Sequence, residues 1–311
     1  MRVQPASVVH ADWSKDPARR WFATASLETH GWRAQGPYPA GASGDIAATF
    51  GVARRAHPLL VGIDIPIGVP RAYATRAGVA SFRAWLGEVG KGRWSHFFEV
   101  CENPDEISLE RPFYPYRPGG TTRRALSTGL ALDWDDLYRR CDRGRPGRRA
   151  AGPLFWTLGG QQVGKAAVTG WRELLHPLVD DRAAGLWPFD GDLAALIASR
   201  DVTIAETYPA ELYDRVGLPS RLPGGKGNQA VRHGCACTIM AAADRLRVEL
   251  DDELVAAISS GFPAEEGGDD GFDAVVGLLG TIDVLETGEW SAPDDPTVLA
   301  VEGWMLGLRA T

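Results

Sequence analysis

The chain has 311 residues, a formal net charge of −7 and a pI near 5.4, with 44% hydrophobic residues and 11 Trp. That is enough for one large domain with insertions or two modest ones, and apolar enough to bury a sizeable core holding much of the tryptophan. The acidic balance excludes a uniformly basic nucleic-acid binder, though not a local basic patch.

Cysteine usage and apolar runs narrow the setting. Cys101, Cys141, Cys235 and Cys237 include one C-x-C pair, which lacks the C-x-x-C spacing of zinc sites and has no second pair or matched His. Four thiols in a reducing cytosol are the expectation. Met1 to Ser7 has no apolar stretch of the signal-peptide kind, and no window approaches the ~18 apolar residues of a membrane span. The sequence therefore predicts a cytoplasmic protein without a membrane partner.

In chain order, Ser7 to Ala11 is a short apolar run that ends at Asp12 and reads as a buried strand. Trp21–Leu27 and Gly31–Pro37 follow across short polar turns, giving three consecutive strands of a meander. Asp45–Ala56 places Ile46, Phe50 and Ala53 at helical spacing. Leu59–Ile65 is apolar on both faces except for Asp64, the pattern of a central strand covered on both sides. Phe82, Trp85, Leu86 and Val89 share a helical face. From about Cys101 to Gly152, repeated Pro and Gly break any period. Val163–Leu178 and Gly191–Ser199 return to helical spacing.

Val202–Ala205 is a second buried strand, ended by Glu206, and Pro209 stops it. Ala230–Leu246, Leu254–Ile258 and Phe272–Leu285 are helical, and Thr297–Leu308 closes the chain. No internal repeat is found. Three strands, a helix and a buried central strand are the opening order of the ribonuclease H fold. The expected architecture is α/β: an RNase-H-like mixed five-stranded sheet flanked by helices, with a large irregular and helical insertion. As a single domain, its core covers 1–98 and 200–290, the insertion about 99–199, and a C-terminal segment 291–311.

Three apolar strands each carry one carboxylate at or near the end: Asp12, Asp64 and Glu206. A lone acid is costly to bury unless it is paired or binds a cation, and open α/β sheets place their functional crevice at the carboxyl ends of the strands. The segment Gly267-Gly268-Asp269-Asp270-Gly271-Phe272-Asp273 adds more acids. Asp269 and Asp270 open a helix, where the dipole favours negative charge. Asp273 lies one turn in, with Gly277 and Gly280 on its face at i+4 and i+7. Glycine inside a helix costs about 1 kcal/mol relative to Ala, so two of them predict close approach to another backbone and an Asp273 that points at the sheet. Carboxylates without Cys or His favour Mg²⁺ or Mn²⁺. A pair of such ions roughly 4 Å apart is the usual device for phosphodiester hydrolysis. Asp12, Asp64, Asp270 and Asp273 are the candidate ligands, with Glu206 as a further catalytic acid.

The segments His10-Ala11-Asp12-Trp13-Ser14, Val61-Gly62-Ile63-Asp64-Ile65-Pro66-Ile67-Gly68, Ala205-Glu206-Thr207-Tyr208-Pro209-Ala210-Glu211 and Asp270-Gly271-Phe272-Asp273-Ala274 resemble the landmark motifs of the domain of unknown function 429 family. Phe155–Lys165, Leu186–Gly191 and Val301–Trp304 are similar to it as well, so the resemblance spans nearly the whole chain. That family is described as predicted nucleases with an RNase-H-like fold. The resemblance implies a first-strand acid at Asp12, a fourth-strand acid at Asp64, a C-terminal-helix pair at Asp270 and Asp273, and an extra acid at Glu206. Trp13 departs from the superfamily pattern in bulk, and no Gly precedes Asp12. Trp13 would narrow access or offer a stacking surface.

Other features point to phosphate. Arg139, Arg140, Arg143, Arg145, Arg148 and Arg149 crowd one stretch opposed only by Asp142, with Arg117, Arg123 and Arg124 upstream and Tyr114, Tyr116 and Trp134 interleaved. This Arg-rich insertion is the candidate nucleic-acid contact. Gly159 to Lys165 is Gly-rich and ends in Lys, but Ala166 follows where a P-loop needs Ser or Thr; Gln161, Gln162 and Lys165 are candidate phosphate ligands at a helix start. Lys226 and Arg232, on and after a second flexible turn, are two more. The expected function is metal-dependent hydrolysis of phosphodiesters in nucleic acid. A non-catalytic nucleic-acid-binding module on the same fold is the alternative. A small-molecule phosphoryl-transfer enzyme is the third reading, disfavoured because no phosphate-binding Gly loop follows Asp12.

Overall fold

The computed structural model describes residues 4–41, 50, 56–114, 123–144, 148–157, 163–178, 181 and 183–309. The helix expected over Asp45–Ala56 lies outside them apart from Phe50 and Ala56. The chain divides into two compact units, one of Met1–Asp64, Arg182–Ala292 and Met305–Thr311, the other of Ile65–Asp181 and Pro293–Trp304.

The first unit is built on a mixed sheet. Its strands are β1 (Ser7–Asp12), β2 (Trp21–Glu28), β3 (Gly31–Pro39), β4 (Leu59–Ile63), β5 (Ala184–Leu186), β6 (Val202–Glu206) and β7 (Val248–Leu250). Their order across the sheet is β5-β6-β4-β1-β2-β3-β7. β2 runs antiparallel to β1 and β3, whereas the β1–β4, β4–β6, β5–β6 and β3–β7 pairs are parallel. The sheet has seven strands, not five: β5 and β7 are added at its two edges. Each is only three residues long, too short to carry a period of two that could be read against background.

The central strands β1, β4 and β6 are buried along their whole length. A strand covered on both faces is largely apolar on both, and these are, apart from Ser7, His10 and Asp12 in β1 and Thr203 and Glu206 in β6. Among the described residues, six α-helices belong to this unit: α1 (Leu193–Ser199), α2 (Pro209–Val216), α3 (Gln229–Gly234), α4 (Ala236–Leu246), α5 (Asp252–Ser260) and α6 (Gly268–Thr287). α2 was not expected; Pro209, which ends the strand region, stands at the first helical position, where its missing N–H costs nothing. The single helix expected over Ala230–Leu246 is two, meeting at Cys235.

α6 is the axis of the layer. It packs across β1, β2 and β3 and against α2, and Gly271 to Leu285 are all buried. Its two glycines sit where close approach was expected. A Cβ on Gly277 would fall 2.1–2.3 Å from the His10 imidazole of β1, and one on Gly280 would meet Leu212 of α2 at 2.6 Å. His10 is fully buried with neither ring nitrogen in a well-formed hydrogen bond. Burial pushes its pKa down to about 3, offset only in part by the Ala274 backbone. It is a neutral packing residue, as an apolar strand demands.

The regular elements of the second unit, among the described residues, are helical. It contains Arg71–Ala77, Phe82–Leu86, Arg123–Leu130 and Val163–Gly170, the last continuing as a π-helical turn over Trp171–Leu175. Its core is aromatic: Trp85 meets Phe97 at 4.9 Å and Trp94 at 5.4 Å, and Phe82 meets Trp171 at 5.2 Å, edge-on or tilted as ring quadrupoles prefer. Among the described residues, no helix is long and apolar enough to cross a membrane.

Gly277→Ala is expected to destabilise the protein by about 1–3 kcal/mol in urea unfolding, because the added methyl collides with the His10 ring in a packed layer. Gly234→Ala, where a Cβ meets nothing within 4 Å, is expected to change stability by no more than about 0.5 kcal/mol. Equal effects of the two would show that α6 does not rest on β1 in this way.

Candidate active site

The strand register decides which acids meet. Ala11 pairs with Ile63, and Ile63 with Glu206. Asp12 and Asp64 follow one residue on, the Asp64 N–H donating to the Ala11 carbonyl at 2.9 Å. Side chains alternate faces along a strand. His10 and Asp12 therefore share a face with Gly62, Asp64 and Thr207, while Glu206 shares the other face with Ala11 and Ile63. α6 lies on the His10 face. Glu206 is thus the member of the expected cluster that the fold sends to the opposite side of the sheet: it emerges at the right strand end, one residue out of phase. It is buried, and its carbonyl accepts from the Leu306 N–H at 2.8 Å.

Asp273 comes down from α6, one turn before Gly277, so the contact that seats the helix on His10 also aims Asp273 at the end of β1. Three carboxyls lie within electrostatic reach of one another: Asp12, 9% exposed; Asp273, 3% exposed; and Asp64, half-buried. Burial raises Asp12 well above the usual carboxylate range, with Asp273 and Asp64 adding to the effect. Asp64 is pushed up to about 7, first by burial and then by Asp273, against the opposing pull of Lys226. Asp273 is also raised by burial, with Lys226 and Tyr213 working to lower it.

The partners of these acids differ. The Tyr213 hydroxyl of α2 donates to Asp273 Oδ1, and the Lys226 ammonium pairs with Asp273 Oδ2. Asp12 and Asp64 have no hydrogen-bond or ion-pair partner among the described residues. Lys226 would be depressed by burial, but Asp273 and Asp12 outweigh that and hold it charged. Tyr213 is raised by burial and by the Asp273 charge, so it stays a protonated donor.

The remaining acids are turned elsewhere. Asp270, expected as a metal ligand, is clasped by Arg19, whose Nε and Nη2 donate to its two oxygens at 2.8 Å each; that hydrogen bonding raises the Arg19 pKa. Asp269 lies 3.6 Å from the same guanidinium. Arg232, expected to reach a phosphate, is buried, and its guanidinium donates to the carbonyls of Lys226, Gly261 and Phe262 at 2.6–2.9 Å. It anchors the Lys226 loop and presents nothing to solvent. Trp13 is buried with Arg20 4.1 Å above its ring, so that face is not open for stacking.

A cleft of about 210 Å³ opens beside the acids, lined among others by Asp64, Asp273, Lys226, Tyr208, Ser220 and Arg221. It combines acids that suit a cation with a lysine, an arginine and hydroxyls that suit a phosphate.

The phosphate candidates of the second unit fare differently. Gln161 and Gln162, with Arg117, Tyr116 and Arg145, lie outside the described residues. Lys165 is buried on Val163–Gly170. Arg139, placed in the expected basic patch, is wholly buried in a bidentate pair with Asp142 at 2.8 and 2.9 Å. An acid three residues away in one buried turn takes such a guanidinium out of any ligand surface. Tyr114 is buried and stacked on Trp156 at 4.6 Å, so it too is unavailable to a base. Sequence reasoning missed Tyr213 and Arg19. The helix-start proline at Pro209 would have placed Tyr213 on the first turns of a helix; no sequence signal marks Arg19.

No family model, curated protein or solved structure matches this chain.

The raised carboxyl of Asp64 sets a pH dependence. Between about pH 4 and 7 the folded state holds a proton there that the unfolded chain has lost, so folding stability falls as pH rises through this window. In metal-free buffer, Asp64→Asn is expected to gain stability over the parent as pH is raised from 4 to 8, with the difference vanishing near pH 4. Parallel urea midpoints across that range would reject the assignment.

Proposed function

We propose that this protein is a divalent-cation-dependent nuclease acting on phosphodiesters of nucleic acid, on an RNase-H-like core. The observation that carries this reading is the pair of unpartnered acids, Asp12 and Asp64, side by side at the carboxyl ends of two parallel central strands, with Asp273 facing them from α6. The partial order β3-β2-β1-β4-β6, with β2 alone reversed, is that of the ribonuclease H sheet and supports the fold assignment. The likeness of the Asp12, Asp64, Glu206 and Asp270–Asp273 segments to the domain of unknown function 429 family supports it from the sequence side.

The donor set fits a hard cation. The three converging groups offer only carboxylate oxygen, and no His or Cys stands among them, which favours Mg²⁺ or Mn²⁺ over zinc. Burial first, and for Asp12 and Asp64 the neighbouring Asp273 charge second, raise their pKa values, and a bound cation would offset both. Asp12 and Asp64 would hold a divalent ion from neighbouring strands, and such an ion would supply Lewis acidity towards water and charge neutralisation at a phosphoryl oxygen. The chain's own residues do the rest. Tyr213 fixes the Asp273 carboxylate. Lys226 and Arg221 draw the phosphate into the cleft.

Purified protein is expected to cleave at least one of DNA, RNA, their hybrid or a junction with Mg²⁺ or Mn²⁺, and to lose this with a chelator. Asp12→Asn is expected to lower the rate by about 10²-fold or more. Absence of cleavage on every substrate, or equal cleavage by Asp12→Asn, rejects the reading.

A further inference from the structure

We infer that the site takes a single divalent ion, held by Asp12 and Asp64, and that the Lys226 ammonium is the fixed second positive charge acting on the same phosphate. This rests on the nuclease reading and specifies how its site is charged, in place of the two-ion arrangement expected from the acids alone.

Four observations carry it. First, Asp273 is committed: Tyr213 holds one carboxylate oxygen and Lys226 the other. A second divalent ion on Asp273 would have to share its carboxylate with the Lys226 ammonium, against like-charge repulsion. Second, the Asp12 and Asp64 carboxylates have no hydrogen-bond or contact ion-pair partner among the described residues, and Asp12 is more than nine-tenths buried. An ionised carboxylate so placed needs a counter-charge, and the only lysine at the site is already taken by Asp273.

Third, Lys226 is built in. Gly224 and Gly225 have φ of +87° and +81°, a left-handed turn that suits glycine. The Gly225 N–H closes on the Leu222 carbonyl at 3.0 Å, and the Asn228 side chain caps α3 by accepting from the Ala230 N–H at 3.0 Å. The buried Arg232 guanidinium donates to the Lys226 carbonyl at 2.6 Å. The backbone that carries this ammonium is therefore held at the loop's base, in the middle and at its exit. The side chain itself remains 43% exposed and lines the cleft with Asp64 and Asp273. Fourth, formal charge balances. One divalent ion and one ammonium offset the three ionised carboxylates of Asp12, Asp64 and Asp273, and Asp270 has its own cation in Arg19.

The arrangement also limits the substrate. The cleft, at about 210 Å³, falls below the roughly 300 Å³ at which pockets enclose whole small ligands.

The test is the number of Mn²⁺ ions bound by the full chain, measured by equilibrium dialysis with paramagnetic resonance of the free ion. The parent protein is expected to bind one, Lys226→Arg one, and Lys226→Met two, because loss of the ammonium frees Asp273. The doubly substituted Asp12→Asn, Asp64→Asn protein is expected to bind none. Two ions in the parent protein overturn the inference and leave the nuclease reading standing, as does one ion in a folded Lys226→Met. No ion in the parent overturns both. If Lys226→Met does not fold, the parent and Lys226→Arg counts decide the matter.

Discussion

Three carboxylic acids within electrostatic reach of one another, two of them buried and the third half-buried at a cleft, are the constraint around which the first unit is arranged. Like charges in a buried place repel, and burial alone penalises each of them; a fold tolerates this only where the surrounding packing leaves no alternative. Here the packing is the seat of α6 on β1. Gly277 lets the helix down onto the His10 ring, and Asp273, one turn earlier, is carried to the carboxyl end of the strand where Asp12 stands. Asp64 joins through the hydrogen bond from its own backbone to Ala11. Each of these contacts belongs to the core first and to the site second.

The same helix carries a useful contrast. Asp283, near the other end of α6, is as buried as the site acids, yet Arg215 and Arg245 donate to its two oxygens at 3.1 and 2.7 Å. That acid is fully compensated and structural. Asp273 is compensated directly by a loop lysine and a tyrosine, whereas Asp12 and Asp64 feel the same Lys226 charge only at a distance, without a direct side-chain partner among the described residues. Along this one helix the acids run from a fully paired Asp283 to Asp273, whose carboxylate lies within electrostatic reach of the less compensated Asp12 and Asp64. Buried ion pairs are poor evidence for function by themselves; it is the missing partner that is informative.

Basic residues divide along the same line. Arg139 and Arg232 looked like phosphate contacts because they stand near other basic or flexible residues in the chain, and both prove buried. The guanidinium has donors in a fixed fork, which several backbone carbonyls or one carboxylate can satisfy completely. Lysine, with a compact ammonium on a flexible stem, is the residue that reaches the acids and still lines the cleft. Proximity in sequence could not make this distinction, since the carbonyls that hold Arg232 come from Gly261 and Phe262, far along the chain.

The sequence by itself determined the buried strands β1, β4 and β6, the acids at their ends, the long glycine-bearing helix and the inward aim of Asp273. These are local patterns: unbroken apolar runs, a period of 3.6, and glycine spaced on one helical face. It also suggested an oxygen-only donor set, because that follows from residue type. Only the tertiary structure decided that Glu206 faces away, since a one-residue phase in strand pairing is invisible until the strands are in register. It alone supplied β5 and β7, whose three residues form strands only because a neighbour offers an edge. And it alone brought Tyr213, Lys226 and Arg19 to the acids, because those meetings join residues tens to hundreds of positions apart, through packing that no local pattern records.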